Sequence, residues 1–141
     1  ILSGFHILRA LALGADMCNS ARAMMMALGC IQALECNKNS CPTGVATQDP
    51  TLMKGLVIED KKHRVANFHK HTMEGFVELM ASAGIDHPSG LNRHQISRRV
   101  FMNKVATLEE IYPSVPVGSM LGSEMPERYK MSYASASAEK F

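Results

Sequence analysis

The feature that most restricts the fold is the stretch from about Glu59 to Ala83, where Val65, Phe68, Thr72, Phe76, Leu79, Met80 and Ala83 recur at helical intervals. That spacing gathers them on one stripe, with Lys61, Lys62, His63, Lys70 and Glu78 on the polar side, and Gly84 supplies the stop. A helix this long with an apolar stripe must bury it, so the remaining segments have to provide a matching face.

The segments on either side read as shorter helices. "ILSGFHILRALALGAD" repeats Phe5, Leu8, Leu11 and Ala12 after Ser3, a plausible N-cap, which predicts a helix from about Gly4 to Leu13. "SARAMMMALGCIQAL" opens on Ser20 in an N-cap position and is apolar nearly all round apart from Arg22, the pattern of an enclosed helix. Between them "ADMCNSA" suits a brief buried strand over Asp16 to Asn19, with Cys18 pointing into a core. Asp49 as N-cap, Pro50 at the first helical position and Gly55 as a stop predict a short helix. Beyond the long helix, "IDHPSG" is a loop and Asn92 caps a helix through Arg99. Thr107 with Glu110 forms a capping box for a short helix that Pro113 closes. The tail, residues 122–141, has no periodic apolar face and is expected to be flexible.

A lone strand among helices has nothing in its own chain to pair with. The expected fold class is therefore α/β, with this chain a piece of a larger unit, mostly helical with one or two short strands. The unpaired strand and the apolar "AMMMALG" helix also predict poor solubility or self-association.

At 141 residues the chain is one domain's worth of material. Apolar residues make up 46%, enough for a core, and a net charge of +2 is too small to imply nucleic acid. No apolar run approaches the roughly 20 residues that cross a bilayer, and the start lacks a signal peptide's basic leader, so the expected location is cytoplasmic. In a reducing cytosol clustered thiols are metal ligands or redox groups more often than disulfides.

Three of the four cysteines fall in "GCIQALECNKNSCPTG" as Cys30, Cys36 and Cys41, a C-x5-C-x4-C run on a turn-rich loop. Thiolates are soft ligands, and three on one loop can converge on a metal centre. Zinc sites favour paired knuckles with a second pair or histidines further on, which this spacing lacks. Cys41 followed by Pro42 is a feature of ferredoxin-type cluster loops, and three ligands match a [3Fe-4S] cluster. Iron–sulfur, zinc and an unconnected set of cysteines all remain open on spacing alone.

A second constellation is "DMCNSAR", Asp16 to Arg22, a turn into a helix start whose free N–H groups, with Arg22, could hold a phosphate. A capped helix start without a ligand is the commoner meaning of such a pattern. His63, His69 and His71, and the Arg98–Arg99 pair, read as solvated surface. No nucleophile elbow, P-loop or paired-glycine dinucleotide fingerprint is present.

"ALALGADMCNSARAMMMALGCIQALECNKNSCPTGVATQDP" closely resembles the C-terminal part of the FMN-binding domain of the glutamate synthase family. The similarity continues through "GLVIEDKKHRVANFHKHT", "HPSGLNRHQISRRV" and "IYPSVPVGSML", covering residues 1–121. The resemblance implies a (β/α)8 TIM barrel carrying FMN, of which this chain would be a C-terminal fragment, with a [3Fe-4S] cluster held by Cys30, Cys36 and Cys41. It places the turn that holds the FMN phosphate at Ser20, Ala21 and Arg22. Family chemistry is the reductive formation of L-glutamate from 2-oxoglutarate and glutamine-derived ammonia. Electrons arrive from a donor subunit or ferredoxin and pass through the cluster and FMN. Catalytic residues would lie outside this chain.

A barrel needs about 250 residues and eight strands, which this chain does not supply. Starting at Ile1 rather than Met is expected of a truncated reading frame, and the chain alone is expected to be inactive. Two other readings stand beside this one. One is a self-standing iron–sulfur or zinc-binding helical module for electron transfer or structure; the other is a relative of the N-methylglutamate synthase type.

Overall fold

A computed structural model describes residues 1–139. The longest element is α3, Ile58–Ser82, preceded by α1, Gly4–Ala12, and α2, Arg22–Leu28. After α3 come two single 3-10 turns, Pro88–Gly90 and Arg93–Gln95, then strands β1, Ser97–Phe101, and β2, Lys104–Thr107. The short helix α4, Leu108–Ile111, and α5, Glu127–Ser135, complete the chain.

The stripe on α3 divides its work along the helix. Phe76 and Met80 are buried, while Val65, Phe68 and Thr72 are half-buried. Leu79 and Ala83 belong to the expected stripe but are exposed. Phe76 and Met80 join Leu8 and Ala12 of α1, Ile96 and Leu108 in one core cluster. α1 can lie this close because Gly4 faces the α3 backbone: a Cβ there would stand 2.7 Å from the Gly75 carbonyl carbon and also collide with the Phe76 nitrogen. Burying an aliphatic or aromatic side chain of this size contributes about 2 kcal/mol, so this small cluster is the chain's main apolar source of cohesion.

Two glycines end helices as the sequence implies. Gly29 closes α2 at φ 109° and Gly84 follows α3 at φ 70°, left-handed positions that favour glycine. Acidic Glu59 and Asp60 sit in the first turn of α3, where they complement the positive end of the helix dipole.

The segment from Asp16 to Asn19 is not a strand. The described residues contain a single sheet, the antiparallel hairpin of β1 and β2, so this stretch has no neighbour to complete its backbone hydrogen bonds. Cys18 within it is half-buried and lines a small cavity of about 190 Å³ rather than the core. Ser20 does not cap α2 either: Ala21 takes the cap position, and the Ser20 hydroxyl donates to the Ile1 carbonyl at 2.9 Å.

The helix expected from Asn92 to Arg99 stops after one turn. Asn92 and Gln95 do form a capping box, but Ile96 turns to extended backbone and β1 begins. Its register pairs Ser97 with Thr107, Arg98 with Ala106, Arg99 with Val105 and Phe101 with Lys104, with an irregularity between Arg99 and Phe101. Ala106 is buried and the Leu108 amide donates to the Ile96 carbonyl at 2.8 Å, so tertiary packing fixes the hairpin where local capping alone favoured a helix. The Thr107–Glu110 capping box opens α4 as expected.

Asp49 accepts from the Thr51 and Leu52 amides at 2.8 and 3.2 Å, and the short helix that follows is a 3-10 turn, Leu52–Gly55, ending at Gly55. In the tail, α5 forms but buries none of its residues. Arg128 in it donates to the Pro113 carbonyl at 2.8 Å. The last two residues of the segment expected to be flexible, Lys140 and Phe141, lie outside the described residues. Large apolar side chains remain exposed elsewhere, Met17 at 84% and Leu34 at 83% among them.

Candidate metal and cofactor site

The cysteine loop leaves α2 through left-handed Gly29, and the Cys30 amide donates back to the Met25 carbonyl at 3.0 Å. Gln32, Leu34 and Asn39 follow with φ of 57°, 59° and 59°. Left-handed backbone in a non-glycine residue costs on the order of 1 kcal/mol, and Leu34 has no polar side chain to offset it. Side-chain hydrogen bonds hold the loop in this shape. The Asn39 Oδ1 accepts from the Gln48 amide at 2.6 Å and its carbonyl accepts from the Thr47 hydroxyl at 2.7 Å. Glu35 accepts from Ser40 at 2.8 Å and from Lys38 at 3.1 Å. Gly44 is buried where a Cβ would press on the Leu52 carbonyl, which locks the end of the loop to the 3-10 turn.

The three thiols have different surroundings. Cys41 is buried, Cys30 half-buried and Cys36 exposed. The Cys41 Sγ lies 3.4 Å from the Thr43 hydroxyl. That contact, with the Ala46, Thr43 and Val45 amides, lowers the thiol from its ordinary 9.0 to about 7. The Cys30 Sγ accepts from the Gln32 amide at 3.4 Å. Hydrogen bonds of this kind suit sulfurs that carry negative charge, as metal-bound thiolates do. The donor chemistry of Cys30 and Cys41 therefore fits an iron–sulfur or other soft-metal centre. Among the described residues, no three of His, Cys, Asp and Glu are already grouped around a metal-sized point, so gathering Cys36 with the other two requires movement of this loop.

Ser20, Ala21 and Arg22 sit at the opposite end of α2. The Ser20 hydroxyl is engaged by Ile1, whereas Ala21 and Arg22 are exposed and the helix start has no side-chain cap. Uncapped N–H groups beside a guanidinium suit a phosphate in charge and donor type. His63, His69 and His71 are all exposed, and His71 pairs with Glu74 at 2.8 Å, as solvated surface does. Arg98 and Arg99 are exposed on the hairpin, Arg99 donating to the Met102 carbonyl at 2.7 Å.

Sequence reasoning missed three contributors. Thr43, whose place two residues after Cys41 is that of a local side-chain hydrogen-bonding turn, was legible in "CPTG". Lys61 and Arg64 were not, because only the packing of α3 brings them beside Cys30.

No helix among the described residues is long and apolar enough to cross a membrane. The family model described as a conserved region in glutamate synthase matches residues 1–86, which include Ser20 to Arg22 and all three clustered cysteines. The glutamate synthase large subunit-like protein YerD of Bacillus subtilis is 48% identical over 99 residues, 70% of this chain and 19% of that protein. Glutamate synthase [NADH] of Schizosaccharomyces pombe is 38% identical over 84 residues, 60% of this chain and 4% of its own length. The archaeal glutamate synthase [NADPH] of Methanocaldococcus jannaschii is 41% identical over 80 residues, 57% of this chain and 16% of its own length. The chain thus spans less than a fifth of the length of these relatives. No solved structure matches it. With more than half of its residues matched to the conserved region, the chain belongs to the glutamate synthase family.

Proposed function

We propose that this chain carries the iron–sulfur loop of a glutamate synthase catalytic unit and works as part of a (β/α)8 barrel whose strands come from elsewhere. The observation that supports this most is the buried Cys41 thiol among three amides and a hydroxyl, in a loop inside the residues matched to the family. Cys30, Cys36 and Cys41 would hold a [3Fe-4S] cluster, and Ser20, Ala21 and Arg22 would meet the FMN phosphate. When bound, the cluster supplies one-electron transfer and the flavin hydride transfer.

The chain's own part is to hold charge and orient groups. Donors around Cys41 favour negative charge on its sulfur, and its burial keeps water from competing for that sulfur. The Gln32 amide also donates to the Cys30 sulfur, at 3.4 Å. Cys36, exposed on the same loop, would be the third ligand once that loop brings it to the other two. The complete unit would form L-glutamate in the cytoplasm from 2-oxoglutarate and glutamine-derived ammonia, drawing electrons from a donor subunit or ferredoxin. Exposed apolar side chains such as Leu34 and Met17 would be covered in that assembly.

Anaerobic reconstitution with iron and sulfide tests the reading. The expected product is a brown protein whose oxidised form gives a three-iron EPR signal that Cys36→Ser abolishes. Stoichiometric zinc uptake without sulfide, and no such signal, would sink it.

A further inference from the structure

Beside Cys30 lies an open pocket of about 420 Å³, walled by Cys30, Ile31, Thr43, Gly55, Lys61 and Arg64. Lys61 and Arg64 stand at i and i+3 on α3, so both reach the same side of that helix. The Lys61 side chain is only 16% exposed. Its Nζ lies 3.5 Å from the point a Cβ on Gly29 would occupy, against the peptide that leads into Cys30. Its carboxylate neighbour, Asp60 at 3.3 Å, is 59% exposed, so water weakens that pair. Among the described residues that line the pocket there are two cations and no Asp or Glu. A positive field with no internal counter-charge, at the mouth of a thiol loop, calls for an anion.

A lysine near Gly29 also meets the negative end of the α2 dipole, and that alone could account for Lys61. It does not account for Arg64, which lines the same pocket as Cys30.

We propose that Lys61 and Arg64 make this pocket an anion-accepting site that offsets the negative charge an iron–sulfur cluster brings to Cys30. The inference rests on the cluster reading above. Thiolate and sulfide ligands leave such a cluster anionic, and its net charge is one of the quantities that set its potential. Two nearby cations favour the more negative, reduced form, so they raise the midpoint.

Two readouts test it on the whole chain. The first needs no metal: Cys30 is reacted with an anionic and with a neutral aromatic disulfide, and the Cys30 peptide is followed by mass spectrometry. The ratio of the two rates cancels the thiolate fraction, which both reagents share, and leaves the local field. Lys61→Gln and Arg64→Gln should each lower the anionic-to-neutral ratio about threefold, the effect of one unit charge several ångströms away in water. Lys61→Arg should keep the ratio, and added salt should compress it in the unsubstituted chain, which guards against a variant that fails to fold. Ratios unchanged by substitution and by salt overturn the anion site. A lysine that only caps α2 would lower the melting temperature when replaced and leave the ratio alone. In the second readout, after iron and sulfide loading, both Gln variants should lower the midpoint potential of the three-iron signal, and an unchanged midpoint overturns the proposal. A charge-selective ratio with no three-iron signal in the unsubstituted chain removes the cluster as occupant, and with it the cluster reading itself.

Discussion

The Arg93 guanidinium donates to the Leu13 carbonyl at 2.9 Å, across 80 residues of sequence, and its other arm donates to the Tyr112 carbonyl at 2.6 Å. One side chain thereby satisfies the carbonyls at the C-caps of α1 and α4 and ties the segment after α3 to the front of the chain. Carbonyls at helix ends lack intrahelical donors, and a fixed planar fork can serve two of them at once.

Arg93→Ala should therefore lower stability by about 2 kcal/mol, the usual worth of hydrogen bonds to a charged group. Urea unfolding should show a lower midpoint with an unchanged slope. Arg93→Lys should recover only part of the loss, since an ammonium cannot span both carbonyls. Equal stability of all three proteins would show that the clamp is idle.

Gly4→Ala tests the contact of α1 with α3. The added methyl would collide with the Phe76 nitrogen and stand 2.7 Å from the Gly75 carbonyl carbon, and backbone cannot move aside as a flexible side chain can. The expected cost is about 1–3 kcal/mol, although alanine is the better helix former. Stabilisation on thermal melting would contradict this packing.

The capping box at α4 carries a pH signature. Glu110 accepts from the Thr107 amide at 2.7 Å and from its hydroxyl at 2.9 Å, which lowers the carboxyl below its ordinary value. A group depressed in the folded state contributes stability above its unfolded value of 4.5 and loses it as pH falls through the folded value. Denaturation curves between neutral and acid pH should thus converge for Glu110→Gln and the unsubstituted chain at the acid end only. Thr107→Ala should cost about 1 kcal/mol, the usual loss of an N-cap.

For Cys41 the same linkage falls in a higher window. Its thiol is lowered from 9.0 to about 7, chiefly by the Thr43 hydroxyl and next by the Ala46 amide. The thiolate's contribution to stability is complete above about pH 9, where the unfolded thiol also ionises, and vanishes as pH drops through about 7. The iodoacetamide rate at Cys41, measured against pH, should have its midpoint near 7 in the unsubstituted chain and move toward 9 in Thr43→Val. Coincident midpoints would remove Thr43 from the account.

What was legible depended on range. The stripe from Val65 to Met80 located α3, Gly29 and Gly84 marked helix ends, and Thr107 with Glu110 announced α4, because each signal lies within one or two turns of the residue it governs. The same locality misled at Asp16 to Asn19 and at Asn92 to Arg99. A strand exists only if another strand lies beside it, and a capping box says where a helix can start, not how far it runs.

By itself the sequence determined the family and the grouping of Cys30, Cys36 and Cys41 on one loop, since motif and spacing are written in the chain. Tertiary structure alone decided that Cys41 is the buried thiol and Cys36 the exposed one. It also decided that Lys61 and Arg64 stand beside Cys30, with some thirty residues of chain between them and that cysteine. Burial and electrostatic fields depend on which surfaces meet after folding, and no local pattern in the chain specifies those meetings.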